Sequence, residues 1–166
     1  MSEVTLTVNL AGASPNEPVS IYHLGQSFYL AGRRCLLNIE VGPGITQCLT
    51  SPGVVNLCLA SELFMKSLVV SNGGTPTKTH RLSELFVKLT EAQRQAIADQ
   101  YSKFVSDPSL TDLLVQVSEY FEKVRYGYEF NVFAYHEHPI TMLAGTLYKY
   151  CATAYGQSVG IDRMRA

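Results

Sequence analysis

The residues best suited to chemistry lie late in the chain, where an arginine is followed by two tyrosines and a glutamate. They are Arg125, Tyr126, Tyr128 and Glu129. A guanidinium group can hold a phosphate or carboxylate through paired hydrogen bonds, and tyrosines can stack on bases or donate hydroxyl hydrogen bonds. The cluster is therefore a candidate anion site. The alternative is an ion pair between Arg125 and Glu129 at a helix end, a structural role that uses the same residue types.

Histidine is the other candidate for proton transfer. His80 follows Thr79, whose side chain can cap a short helix, so His80 either faces a groove near the glycine loop or has a packing role at the helix start. The stretch from His136 to His138 has two histidines but no third ligand at a recognisable spacing. That stretch is predicted to be a solvated loop, and no metal or cofactor is expected.

The composition is that of one globular domain. The chain has 166 residues, of which 46% are hydrophobic and 16% charged, values typical of a folded protein with its own core. The net charge of -1 argues against holding nucleic acid by bulk electrostatics, while a local basic patch stays possible. The four cysteines are widely spaced without a C-x-x-C pair, which indicates reduced thiols and a cytoplasmic location.

Helical periodicity accounts for most of the chain and predicts an all-α bundle of five to six helices. The bundle is expected over positions 14–156, starting with a helix capped near Ser14 and Pro15. An extended arm over 1–13 precedes it, with apolar residues alternating at the strand period, and a tail over 157–166 follows. The inner face of the first helix is predicted to consist of Ile21, Leu24, Phe28, Ala31 and Cys35.

The second helix, from about Ser51 to Asn72, is apolar nearly all round and should be the central, most buried helix rather than a membrane span. Glu62 and Lys66 form an i, i+4 pair within it. Later helices are predicted to open with a capping box at Thr90, to bury Tyr101 and Phe104, and to run unbroken from Ser109 to Arg125. Near the end of the first helix, Arg33 and Arg34 either contact phosphate or complement the helix dipole.

Three windows resemble a known superfamily. The first is the helix Ala60-x-Glu62-x-x-x-Lys66-x-Leu68 with the Gly73-Gly74 loop, the second is Thr79-His80-x-Leu82, and the third is Phe121-x-x-x-Arg125-Tyr126-x-Tyr128-Glu129. In this order and spacing they resemble the HEPN superfamily of helical bundles. The resemblance implies a ligand-binding role for Glu62, Lys66, Tyr126, Tyr128 and Glu129, and a catalytic role for Arg125 and His80.

The resemblance also implies partners and a reaction. Many HEPN proteins are dimeric, metal-independent ribonucleases of toxin–antitoxin or defence systems. The expected partners are therefore a second copy of the chain, an RNA or nucleotide ligand and an antitoxin protein, and no membrane association is expected. Their catalytic motif is an arginine followed by a histidine after four to six intervening residues, and no such pair occurs in this sequence. A noncatalytic RNA- or nucleotide-associated module fits as well. The alternative is a structural or protein-interaction bundle acting as a homodimer.

Overall fold

The computed structural model describes residues 17–75, 78–126 and 137–156. Within these ranges the chain is predominantly helical, as predicted for an all-α bundle. The elements are α1 (Pro18–Cys35), β1 (Ile39–Gly42), β2 (Ile45–Gln47), α2 (Thr50–Ser71), α3 (Leu82–Val87), α4 (Glu91–Ser102), α5 (Leu110–Val117), α6 (Tyr120–Arg125) and α7 (Glu137–Ala154). The predicted arm over 1–13 and the tail over 157–166 lie outside the described residues.

The helix α2 is the centre of the bundle. It packs against α1, α3, α6 and α7, and its apolar side chains are buried on several sides, including Leu57, Phe64 and Leu68. By length and composition alone, α2 could cross a membrane. However, 67% of its apolar window is buried inside the protein. The helix therefore serves as the core helix that the sequence predicts.

The buried face of α1 differs from the predicted one. Tyr22, Gly25, Tyr29 and Gly32 are the buried residues, whereas Leu24, predicted to face inward, is 51% exposed. Glycine at two of these positions lets α1 approach α2 more closely than any side chain would permit. The aliphatic pattern was misleading because tyrosines and glycines, rather than Leu24 and its neighbours, form this contact.

Two predicted helix boundaries are also corrected. The helix α1 begins at Pro18 with Glu17 as its capping residue, later than the predicted start near Ser14; residues 14–16 lie outside the described part. The helix predicted from Ser109 to Arg125 is interrupted by a turn at Ser118 and Glu119. The capping box at Thr90 is confirmed, since the Thr90 hydroxyl accepts a hydrogen bond from the Gln93 backbone N–H at 3.2 Å.

Two features of the surface were not predicted. The strands β1 and β2 form an antiparallel hairpin between α1 and α2, with exposed apolar side chains Ile39, Val41 and Ile45. Phe104, predicted to face inward, is 56% exposed. The helix α4 ends at Ser102, so the helical spacing no longer applies at position 104, and Val105 enters the core instead.

Ionisable groups within the core predict loss of stability at alkaline pH. Burial, assisted by the charge of Glu62, raises the pKa of Cys58 from 9.0 to about 12. Burial, assisted by Asp107, raises the pKa of Tyr101 from 10.0 to about 12. Above pH 9 the unfolded chain therefore releases protons that the folded chain retains. Each such group lowers the free energy of unfolding by about 1.4 kcal/mol per pH unit within its window.

Chemical denaturation followed by circular dichroism from about pH 8 to about pH 11 measures how the free energy of unfolding changes with pH. The variant Cys58→Val, which keeps the side chain apolar and similar in size, should show a shallower alkaline loss than the wild type. An unchanged slope in that variant would contradict the assignment of the thiol.

Candidate functional site

A buried carboxylate on α2 is the centre of the candidate site. Glu62 has a side chain that is only 4% exposed, and its Oε1 lies 2.6 Å from the Nζ of Lys66, one helical turn further along α2. The Lys66 side chain is 14% exposed. A buried carboxylate requires such a counter-charge, because desolvation of an unpaired ion is costly. The i, i+4 pair expected from the sequence is therefore present and largely buried.

The second partner of Glu62 is His80, from the segment that precedes α3. The Nδ1 of His80 lies 3.0 Å from Oε2 of Glu62. An ionised carboxylate can only accept hydrogen bonds, so Nδ1 carries the hydrogen and donates it. In the neutral imidazole this leaves Nε2 as the atom available to accept a proton. The His80 side chain is 52% exposed, so the oriented ring remains accessible to solvent and ligand.

Phe121 of α6 supports the imidazole ring on one side. The two ring centroids are 5.2 Å apart, with an angle of 21° between the ring planes. Thr79, predicted to cap α3, has another role: its hydroxyl accepts a hydrogen bond from the Arg81 backbone N–H at 3.1 Å and donates one to Glu84. The capping position of α3 is Arg81. His80 is therefore fixed by a carboxylate and an aromatic ring rather than by helix capping.

A polar groove opens beside this histidine, and we call it the His80 groove. It has a volume of about 380 Å³ and is lined by Thr79, His80, Arg81, Ser118, Glu119 and Lys123. The hydroxyl of Ser118 accepts a hydrogen bond from the Ser83 backbone N–H at 3.3 Å, which joins α3 to the turn between α5 and α6. The interruption after α5 thus forms one wall of the groove.

The charges around the His80 groove are of both signs. Lys123 forms an ion pair with Glu119, and Arg81 lies 3.8 Å from Glu84. The hydrogen bond and charge of Lys123, together with the charge of Arg81, hold the pKa of Glu119 below its ordinary value. The groove therefore presents His80 and Arg81 to an anion, together with the Lys123–Glu119 ion pair, in which the two charges offset each other.

The predicted residues are brought together only in part. Glu62, Lys66 and His80 meet at one place, although they are separated in sequence. Arg125 is the last residue of α6, the helix that carries Phe121, and its side chain is outside the described part of the structure. Tyr126 follows the helix and is partly exposed, whereas Tyr128 and Glu129 lie outside the described residues.

Sequence reasoning missed several residues of the groove. Arg81, Ser118 and Lys123 were not singled out, and Phe121 entered only as the first residue of the third window that resembles the HEPN superfamily, without a role beside His80. The available signal was the short T-H-R segment, in which an arginine follows the histidine directly. In the described residues, no group of three or more histidines, cysteines or carboxylates is placed to hold a metal ion, and His136 lies outside them.

The chain matches one known protein family. A family model described as the HEPN domain matches residues 53–144, a span that includes Glu62, Lys66, His80 and Arg125. No significant match was found among curated proteins or among solved structures. The matched span covers more than half of the chain, and it contains the buried pair of α2, the oriented histidine and the helix that supports it. The chain belongs to the HEPN domain family.

Proposed function

We propose that this HEPN domain is a cytoplasmic, RNA- or nucleotide-associated protein of a defence or toxin–antitoxin type system, working as a homodimer. The observation that carries the proposal is the exposed His80 imidazole, oriented by the buried Glu62 carboxylate at the edge of a polar groove. A carboxylate that fixes the tautomer of a histidine is a recurrent arrangement for proton transfer. An antitoxin protein is the partner that such a system would supply.

The chemistry that fits this geometry is metal-independent cleavage of RNA. The Nε2 of His80 accepts the proton of a ribose 2′-hydroxyl while the 2′-oxygen attacks phosphorus. The bond from phosphorus to the 5′-oxygen breaks, leaving a 2′,3′-cyclic phosphate and a 5′-hydroxyl that takes up a proton. Arg81 and the ion-paired Lys123 line the groove and can stabilise the additional negative charge on the phosphate. Arg125 is the further cation to which the family resemblance assigns a catalytic role.

The test is incubation of the full chain with single-stranded RNA, followed by gel analysis and a filter-retention assay at low salt. We expect His80→Gln to lower cleavage by about 100-fold or more, because glutamine can still donate to Glu62 but cannot transfer a proton. The matched control is His23→Gln, which removes an exposed histidine of α1 and should leave cleavage unchanged. Arg125→Ala should weaken both cleavage and retention.

The outcomes separate the parts of the proposal. Retention of RNA without cleavage supports an RNA-associated module and removes the catalytic role of His80. The absence of both cleavage and retention by the wild-type chain overturns the proposal. Equal activity of His80→Gln and His23→Gln overturns the role of His80 even if RNA is cleaved.

A noncatalytic homodimeric interaction bundle is the second candidate, and the β1–β2 hairpin favours it. Ile39, Val41 and Ile45 are all more than half exposed on this hairpin, and short exposed strands with apolar side chains pair readily with another chain. Under this proposal, replacing Val41 and Ile45 by serine should change the mass of the protein in solution, measured by light scattering. RNA retention and RNA cleavage should not change. An unchanged mass would count against an interface at the hairpin.

A further inference from the structure

A second groove lies between α1, α4 and α7 and shares none of its lining residues with the His80 groove. It consists of two adjoining basins of about 260 Å³ and about 500 Å³. Gln100, Thr146 and Lys149 line both basins, and Arg33 lines the smaller one. Among these described lining residues none is acidic. The α1–α4–α7 groove therefore has positive charge from two helices and a size typical of small-molecule sites.

Arg33 is held in place by Tyr29, one helical turn earlier on α1. Its guanidinium donates to the Tyr29 hydroxyl at 3.2 Å, and its central carbon lies 5.9 Å from the centre of the Tyr29 ring. In the described part of the chain no carboxylate forms an ion pair with Arg33. A guanidinium has five N–H donors, so this pre-positioned group retains donors for an anion in the basin.

The rest of the smaller basin is apolar. Phe104 lies at its rim and is 56% exposed, and Met142 is partly buried beside it. Gly145 contributes to the wall, where a Cβ atom would first meet the Tyr29 hydroxyl at 3.4 Å. A larger side chain at position 145 would occupy the basin. An aromatic ring and a thioether beside a fixed guanidinium suit a ligand that is apolar at one end and anionic at the other.

We propose that the α1–α4–α7 groove binds a small aromatic anion. The anionic head, a carboxylate or a phosphomonoester, contacts Arg33 and Lys149, and the ring of the ligand packs against Phe104 and Met142. The hydroxyl of the buried Thr146 and the amide of Gln100 supply neutral hydrogen bonds between the two ends. This site is separate from the His80 groove, because its residues come from α1, α4, the turn after α4 and α7, whereas the His80 groove is formed by α6, by the segment before α3 and by the turn after α5.

Isothermal titration calorimetry on the full chain tests the proposal with three probes: phenylacetate, phenyl phosphate and the neutral 2-phenylethanol. The two anions are expected to bind, and the neutral probe should bind at least about tenfold more weakly. The tighter of the two anions identifies the preferred head group. Arg33→Gln and Lys149→Gln should each weaken anion binding by about tenfold, and Phe104→Ala should weaken it as well.

The matched control is Arg34→Gln, which removes the same charge from the neighbouring exposed position outside the groove. The affinity of this variant for the two anions should stay within about twofold of the wild-type affinity. Lys149 lies on the surface of α7. The variant Lys149→Gln therefore tests the need for positive charge in the groove even if Arg33→Gln alters the packing of Tyr29. Thermal unfolding of each variant shows whether the fold is intact. Binding of neither anion at about 10 mM overturns the proposal. Equal binding of the neutral probe, or equal weakening by Arg34→Gln, also overturns it.

Discussion

Replacing Lys66 with methionine is expected to lower the free energy of unfolding by about 3 kcal/mol, because the buried Glu62 carboxylate loses its cation. The Glu62 side chain is 4% exposed and lies 2.6 Å from Lys66 Nζ, so water cannot replace the lost partner. Methionine keeps the length and apolar stem of lysine and isolates the effect of the charge. The measurement is urea denaturation of wild type and variant at neutral pH, followed by circular dichroism.

Two further variants make this prediction specific. Lys123→Met removes the same type of charge from an i, i+4 pair, but on the exposed surface of α6, and its effect should be much smaller because solvent screens exposed pairs. The double variant Glu62→Leu with Lys66→Met leaves no unpaired buried charge and should recover most of the stability lost in the single variant. Equal losses in Lys66→Met and Lys123→Met would contradict a buried, charge-dependent pair.

Replacing Gly32 with alanine is expected to lower the free energy of unfolding by about 2 kcal/mol. A Cβ atom at this position would lie 2.8 Å from Leu57 Cγ and 3.0 Å from the Gly53 carbonyl oxygen. The carbonyl belongs to the backbone of α2 and cannot rotate away, so α1 and α2 must separate. The gain of about 1 kcal/mol in helix propensity that alanine offers does not offset this separation.

The control for Gly32→Ala is Gly145→Ala in α7. Both positions lie within helices, but at Gly145 the nearest atom to an added Cβ is the Tyr29 hydroxyl at 3.4 Å. Without a severe contact, helix propensity should dominate and leave stability unchanged or raised by up to about 1 kcal/mol. Thermal and urea denaturation of the two variants distinguish close helix packing from a general effect of removing glycine. A loss at Gly145 as large as that at Gly32 would contradict this explanation.

The sequence predicted those parts of the candidate site that depend on local spacing. Glu62 and Lys66 lie one helical turn apart on the most apolar helix, so their pairing and partial burial follow from helix geometry and composition. His80 could be singled out only by residue type and by its place in a T-H-x-L segment. Its hydrogen bond to Glu62 joins residues 18 positions apart, and helical periodicity carries no information about such a contact.

The tertiary structure also determined which apolar side chains of α1 and α4 face the core. Leu24 satisfies the apolar pattern of α1 but is exposed, because Gly25 and Gly32 permit the close approach to α2 and turn a different face inward. Phe104 satisfies the pattern of α4 but follows the end of that helix, where the pattern no longer determines direction.

The sequence by itself determined that this chain is an all-α bundle with α2 at its centre, and it contained the motifs of the HEPN family. An almost wholly apolar helix is stable in water only when other helices surround and bury it. The central place of α2 therefore follows from its composition and from the helical period of its apolar residues. Only the tertiary structure decided that Glu62 orients His80 against Phe121 and that Arg33 and Lys149 line one groove. Those contacts join different elements, whose relative positions are determined by packing of the whole core rather than by spacing along the chain.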